Sequence, residues 1–168
     1  NSQSLQTMYM AKRKSQGTRR TPRKNKTLRK KENNQSKHKE IKNATKAKIV
    51  KKMLEMLHAI KLYHWKTTSY AHHESTDELH EKISNQSDRF VEVLMGKTAS
   101  RIQMVEEKMK LYDFATGSEF REKVFEFRQF LIDLDSIFPS KKDHDLRTIR
   151  DEMLESVNQF LYLFTLQK

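Results

Sequence analysis

The chain has 168 residues, no cysteine and a formal net charge of +12, from 34 Lys or Arg against 22 Asp or Glu. Disulfides and thiolate metal sites are excluded, and no run of 18 apolar residues offers a membrane-spanning helix. The charge is unevenly divided: residues 1–48 hold 16 Lys or Arg against Glu32 and Glu40, a balance of +14, so the remaining 120 residues carry about −2.

That division predicts a basic N-terminal arm over 1–44 and one helical domain over 45–168. With no charged-then-apolar pattern at the start, the chain reads as intracellular. Residues 1–11 hold Leu5, Met8, Tyr9 and Met10 as their sizeable apolar groups, an anchoring peptide or plain disorder. From Lys12 to Lys39 the only large apolar residue is Leu28, so the segment has nothing with which to build a core and is expected to be flexible. Its basic groups Lys12, Arg13, Lys14, Arg19, Arg20, Arg23, Lys24, Arg29, Lys30 and Lys31 suit a phosphate backbone, bound by counterion release with little sequence preference. Nucleic acid, DNA above all, is the expected partner. A localisation signal, an acidic-protein contact and an arm threading between subunits are the competing readings.

Helical spacing begins between Ile41 and Lys48. Ile49, Met53, Leu57 and Ile60 make the apolar stripe of a first helix that ends near Lys66. Thr67–Tyr70 forms a short turn, and Ser75 or the residues just before it cap a second helix, which stops at Gly96 in a left-handed C-terminal position. So short a turn makes the two helices antiparallel neighbours. Lys97–Thr116 has mixed periodicity and reads as a long crossover. A third helix follows Gly117 with Phe120, Val124, Phe127, Leu131, Leu134 and Phe138 in step, ended by Pro139; a fourth carries Leu146, Ile149, Met153, Val157, Phe160 and Phe164, with Asp143 or Asp145 at its start. The fold class is all-α, a four-helix bundle.

Chemistry concentrates between Tyr63 and Gly96. On a helical wheel with His73 at 0°, Asp77 falls near 40°, Asp88 near 60° and Glu92 near 100°, while Leu79, Ile83, Phe90 and Leu94 cluster near 240–300°. Four metal-compatible side chains thus share a stripe turned away from the core. About 16 Å of helix separates Asp77 from Asp88, so one ion at roughly 2 Å ligand distance does not reach both pairs. Two antiparallel copies of this helix about a two-fold axis bring His73 and Asp77 of one to Asp88 and Glu92 of the other, giving two equivalent sites per homodimer. Against this stands the plainer reading: His64 projects onto the apolar stripe of the first helix as a buried, hydrogen-bonded histidine would, and exposed carboxylates are ordinarily just solvated. His72 and His80 compete as ligands.

The order His64-Trp65, His73 with Asp77, then Asp88 with Glu92 resembles the DNA-protecting mini-ferritins (the Dps family) of the ferritin-like superfamily over about residues 45–96. The stretch is also similar to ferritin-like proteins encoded by large DNA viruses. The first resemblance implies a ferritin-like bundle whose helices 2 and 3 are joined by the long crossover. It implies that His64, His73, Asp77, Asp88 and Glu92 bind iron (Fe2+) across a dimer interface, with Trp65 beside the metal to intercept radicals, and that peroxide or oxygen oxidises the iron. The ligand types also suit zinc or manganese. The second resemblance implies a virion location, with the arm holding a structural scaffold to capsid subunits or genome. No Gly-rich phosphate loop, nucleophile elbow or Cys-based zinc pattern is present.

Overall fold

Four helices account for most of the chain: α1 Asn43–Lys66, α2 Tyr70–Thr98, α3 Gly117–Asp133, closed by a 3-10 turn at Leu134–Ser136, and α4 His144–Thr165. The computed structural model describes residues 41–104, 108–139 and 141–166, and among them there is no strand. Residues 1–40, with the ten basic groups from Lys12 to Lys31 named above, lie outside the described residues. Among those described, no helix is long and apolar enough to cross a membrane.

Each helix buries the stripe its sequence spacing provides. Met53, Met56 and Ile60 of α1, Ile83 and Phe90 of α2, Phe120 and Phe127 of α3 and Met153 of α4 are all at most 1% exposed. Each such side chain contributes about 1.5–3 kcal/mol through removal from water. Helix α2 packs chiefly on α4 and α1, and α3 on α4.

The helix ends depart from the sequence expectation in three places. Helix α2 begins one turn before Ser75, because Ser69 has extended backbone and its hydroxyl accepts the His72 N–H at 3.3 Å. Ser75 lies inside the helix, its hydroxyl donating to the His72 carbonyl. At the other end α2 runs through Gly96, and the left-handed residue is Ala99, with φ 46° and ψ 30°. Thr98 Oγ donating to the Leu94 carbonyl at 2.8 Å and Lys97 reaching the start of α4 hold that extra turn. Helix α3 stops at Asp133 rather than Phe138, where the chain tightens into a 3-10 turn before Pro139. Its start is well specified: Thr116 Oγ accepts the Glu119 N–H at 3.2 Å, and the Glu119 carboxylate accepts the Ala115 N–H at 2.8 Å.

The connection between α2 and α3 determines the topology. The Asn43 side chain brackets Gln103, donating to its carbonyl at 2.7 Å and accepting its N–H at 3.0 Å. Farther on, the Lys110 N–H reaches Glu55, Asp113 pairs with Lys66, and Phe114 is buried against Tyr63. The connection therefore travels the length of α1 and delivers α3 to the end where α1 finishes, so α2 and α3 run parallel. No helix forms in its described part.

Lys97 ties the end of α2 to the start of α4. Its ammonium lies 3.2 Å from Asp143 and 2.7 Å from Asp145 and donates to the Lys142 carbonyl at 2.7 Å. Burial opposes its charge, but the two carboxylates outweigh that and raise its pKa above 10.5. Burial likewise pushes Asp145 up, yet the hydrogen bonds from Lys97 and the Leu146 N–H bring it below 3.8. A depressed carboxyl contributes stability that is present above its unfolded value and is lost as pH falls through the folded one; a raised amine contributes stability present below 10.5 and lost as pH rises through its folded pKa. Asp145 is half exposed, so solvent screens its share. Lys97→Met should cost about 1–3 kcal/mol in urea unfolding at pH 7, because Asp143 is left buried without its cation. The difference from wild type should shrink below pH 4 and in strong alkali.

Candidate metal centre

The three-residue turn Thr67–Ser69 folds the last turn of α1 onto the first turn of α2, and two histidines meet there. His64 Nδ1 donates to the His73 carbonyl at 3.0 Å, and His73 Nδ1 donates to the His64 carbonyl at 3.2 Å. A carbonyl only accepts, so each Nδ1 carries a hydrogen, and Nε2 is the ring nitrogen left for another partner. The rings stack with centroids 3.8 Å apart and 24° between planes. Thr76, fully buried, donates to the His72 and His73 carbonyls at 2.7 and 3.0 Å and stiffens the same turn.

Asp77 completes a three-residue cluster. Its Oδ1 lies 3.7 Å from His64 Nε2 and 3.2 Å from Lys61 Nζ, on the rim of the bundle. The Lys61 hydrogen bond holds its carboxyl below 3.8, with smaller contributions from the charges of Lys61, His64 and His73. Asp77 is therefore ionised at neutral pH, and its cation is an ammonium. Asp88 and Glu92 lie about 16 and 22 Å farther along the same helix, exposed and outside the cluster. Among the described residues, no group of three or more His, Asp or Glu is placed to hold an ion within one chain.

Of the competing histidines, neither joins the pair. The His72 ring is turned to the opposite face of the turn, its Nδ1 2.8 Å from the Tyr63 hydroxyl and its plane stacked on Phe164 at 4.1 Å. Burial lowers the His72 pKa and raises that of Tyr63, so both are neutral at pH 7. Gly117 makes room for them: a Cβ there would stand 2.9 Å from the Tyr63 hydroxyl. This Tyr63–His72 pair was not foreseen from the sequence, although Tyr63 follows Met56 and Ile60 at spacings of seven and three on the core stripe. His80 lines an open groove of about 410 Å³ with Leu54, Leu57, His58, Lys61, Leu62, Trp65 and Leu111. Trp65 is 69% exposed on that groove, and Lys61 belongs to both the groove and the cluster.

The family model described as "Family of unknown function (DUF5856)" matches residues 64–164. The chain belongs to that family. The DUF5856 match opens on His64 and takes in His73, Asp77, Asp88, Glu92, the long connection and nearly all of α4. No curated protein and no solved structure matches the chain.

Proposed function

We propose that this DUF5856 protein binds and oxidises iron at sites completed by a second copy, and holds nucleic acid through its basic arm. The observation that carries the reading is the reciprocal lock of His64 and His73, which stacks the two rings and sets His64 Nε2 3.7 Å from the ionised Asp77. Metal-bound imidazoles are commonly fixed in this way, with the other ring N–H given to a carbonyl or carboxylate. Two nitrogens and one carboxylate suit Fe(II), as they do zinc or manganese. They fall short of a full ligand set, and Asp88 and Glu92 of a two-fold partner supply the missing oxygens. The length-spanning connection between α2 and α3 supports ferritin-like connectivity.

Surface chemistry agrees with a homodimer across this face. Helix α1 offers Lys61 on the apolar groove and the exposed Lys48, while α2 presents Glu74, Asp77, Glu78, Glu81, Asp88 and Glu92. Helix α1 against the partner's α2 pairs basic with acidic charge and covers Trp65. In the reaction, two Fe(II) each give up one electron, and peroxide takes both electrons and two protons to become two waters. The residues' part is to hold the two irons and to keep that chemistry away from phosphate-bound nucleic acid.

The Lys61 ammonium beside Asp77 favours a second reading, a scaffold in a virion or nucleoprotein particle that keeps the ligand residues as an ion-pair network without catalysis. Anaerobic Fe(II) titration by calorimetry, with sedimenting mass recorded, separates the two. One or two irons per chain in a dimer or larger assembly is the expected result. A folded protein that takes up no iron overturns the iron reading and leaves the scaffold.

A further inference from the structure

The end of the bundle far from His64 and His73 is knit from three segments: the first turn of α1, the end of α2 with the residues that follow it, and the turn before α4. Lys46 Nζ, buried at 3% exposure, donates to Ser100 Oγ at 2.6 Å, so the first turn of α1 lies against the residues that follow α2. Asn43 and Gln103 join the same two segments. Lys97 fastens them to the turn before α4 through the Lys142 carbonyl, Asp143 and Asp145. Lys42, Arg101, Lys141 and Lys142 are thereby gathered at one end, all four exposed.

Of the carboxylates at this end, Asp133, Asp135, Asp143 and Asp145 are already engaged, while Glu92 lines an open pocket together with Arg101. Asp143 and Asp145 hold Lys97, Asp135 holds Arg147 and Arg150, and Asp133 accepts from the Gln129 amide. Lys42, Arg101, Lys141 and Lys142 have no carboxylate partner among the described residues, so their charge faces solvent. The large exposed aromatic rings, Trp65, Tyr70, Phe125 and Tyr162, belong to other parts of the bundle. A protein partner ordinarily offers and needs such anchors at the centre of its footprint, whereas a phosphate backbone needs only donors and charge. In sequence, this end is also where the basic arm leads into α1.

We infer that Lys42, Arg101, Lys141 and Lys142 form an ordered phosphate-binding face for the backbone of duplex nucleic acid, acting beside the arm. The inference rests on the nucleic-acid part of the function proposed above. It does not depend on iron binding, since the readout is duplex affinity and none of the four groups is a proposed metal ligand. Carried on a folded surface, these groups bind without the cost of ordering their backbone.

The test uses the full chain and a mixed-sequence DNA duplex, with affinity by fluorescence anisotropy at several salt concentrations. Four proteins are compared: wild type; the face variant K42Q/R101Q/K141Q/K142Q; an arm variant R19Q/R20Q/R23Q/K24Q; and R89Q/R121Q, which removes charge elsewhere on the bundle. All the altered bundle residues are exposed, and thermal melting checks that each fold persists. Each lost phosphate contact removes about 0.9 from the slope of log K against log salt, so the face variant should lose roughly 2–4 from that slope while R89Q/R121Q stays near wild type. A face variant with wild-type slope and a weakened arm variant overturns the face and leaves the arm reading standing. Weakening only in the face variant keeps the face and removes the arm. Equal loss per charge in R89Q/R121Q reduces the effect to net charge and overturns the inference, as does wild type that binds polyglutamate but no duplex.

Discussion

Phe120→Ala is expected to remove about 3–5 kcal/mol of stability. Phe120 is 0% exposed and is the hub of the aromatic cluster that closes the histidine end. Tyr63 stacks on it at 4.1 Å with 5° between planes, and Phe114, Phe160 and Phe164 meet it edge-on at 5.3, 6.0 and 6.1 Å. These rings come from α1, the long connection and α4, so no single neighbour can move in to fill the void, and the cavity term is retained in full. At about 4 °C per kcal/mol for a domain of this size, the midpoint of thermal unfolding should fall by roughly 12–20 °C. Phe125 on the same helix is 40% exposed and lies over Arg121 at 5.4 Å; Phe125→Ala should cost under about 1 kcal/mol. Equal losses for the two would mean that Phe120 is not the packing centre.

Much of this fold is legible in the sequence because its periodicities are long and uninterrupted. Phe120, Val124, Phe127 and Leu131 repeat at four, three and four residues and can serve only one helix face. The errors sit at the helix ends, where single hydrogen bonds decide. Ser69 and Ser75 are equivalent as letters, and only the extended backbone at Ser69 makes it the cap. Gly96 is the expected stop on conformational grounds, yet the turn beyond it is held by Lys97 reaching a helix more than forty residues away. That contact outweighs a left-handed Ala99, which costs on the order of 1–2 kcal/mol.

The candidate site was legible in part. Wheel projection puts His73 and Asp77 on one exposed stripe, and the shortness of the turn brings His64 to them. Ring orientation was not readable from spacing. Whether a histidine near a helix end faces its twin or the core depends on which carbonyls the turn leaves open: His64 and His73 take each other's, while His72, one residue away, takes the Tyr63 hydroxyl. Lys61 was missed as well. It stands three residues before His64, one turn back on the same face, and that spacing is the signal that marks it as a neighbour of the cluster.

If the cluster binds metal, its variants should separate ligands from competitors in opposite directions. His64→Ala or His73→Ala removes an Nε2 donor and at the same time frees the carbonyl that its Nδ1 had satisfied. Loss of an outer hydrogen-bond partner alone costs about 10–100-fold in metal affinity, so loss of the donor should weaken Fe(II) or Zn(II) binding by at least about 100-fold. Lys61→Met should do the reverse. Its ammonium occupies the Asp77 carboxylate that the ion needs, and removing it leaves the carboxylate free. Because Asp77 is exposed, solvent screens the pair, and the gain should be modest, roughly two- to fivefold tighter. Raised salt should narrow the gap between wild type and Lys61→Met, since screening weakens the competitor already. A Lys61→Met protein that binds metal more weakly than wild type would make Lys61 a support of the site, and would identify the His64–His73–Asp77 cluster as a structural network tying α1 to α2.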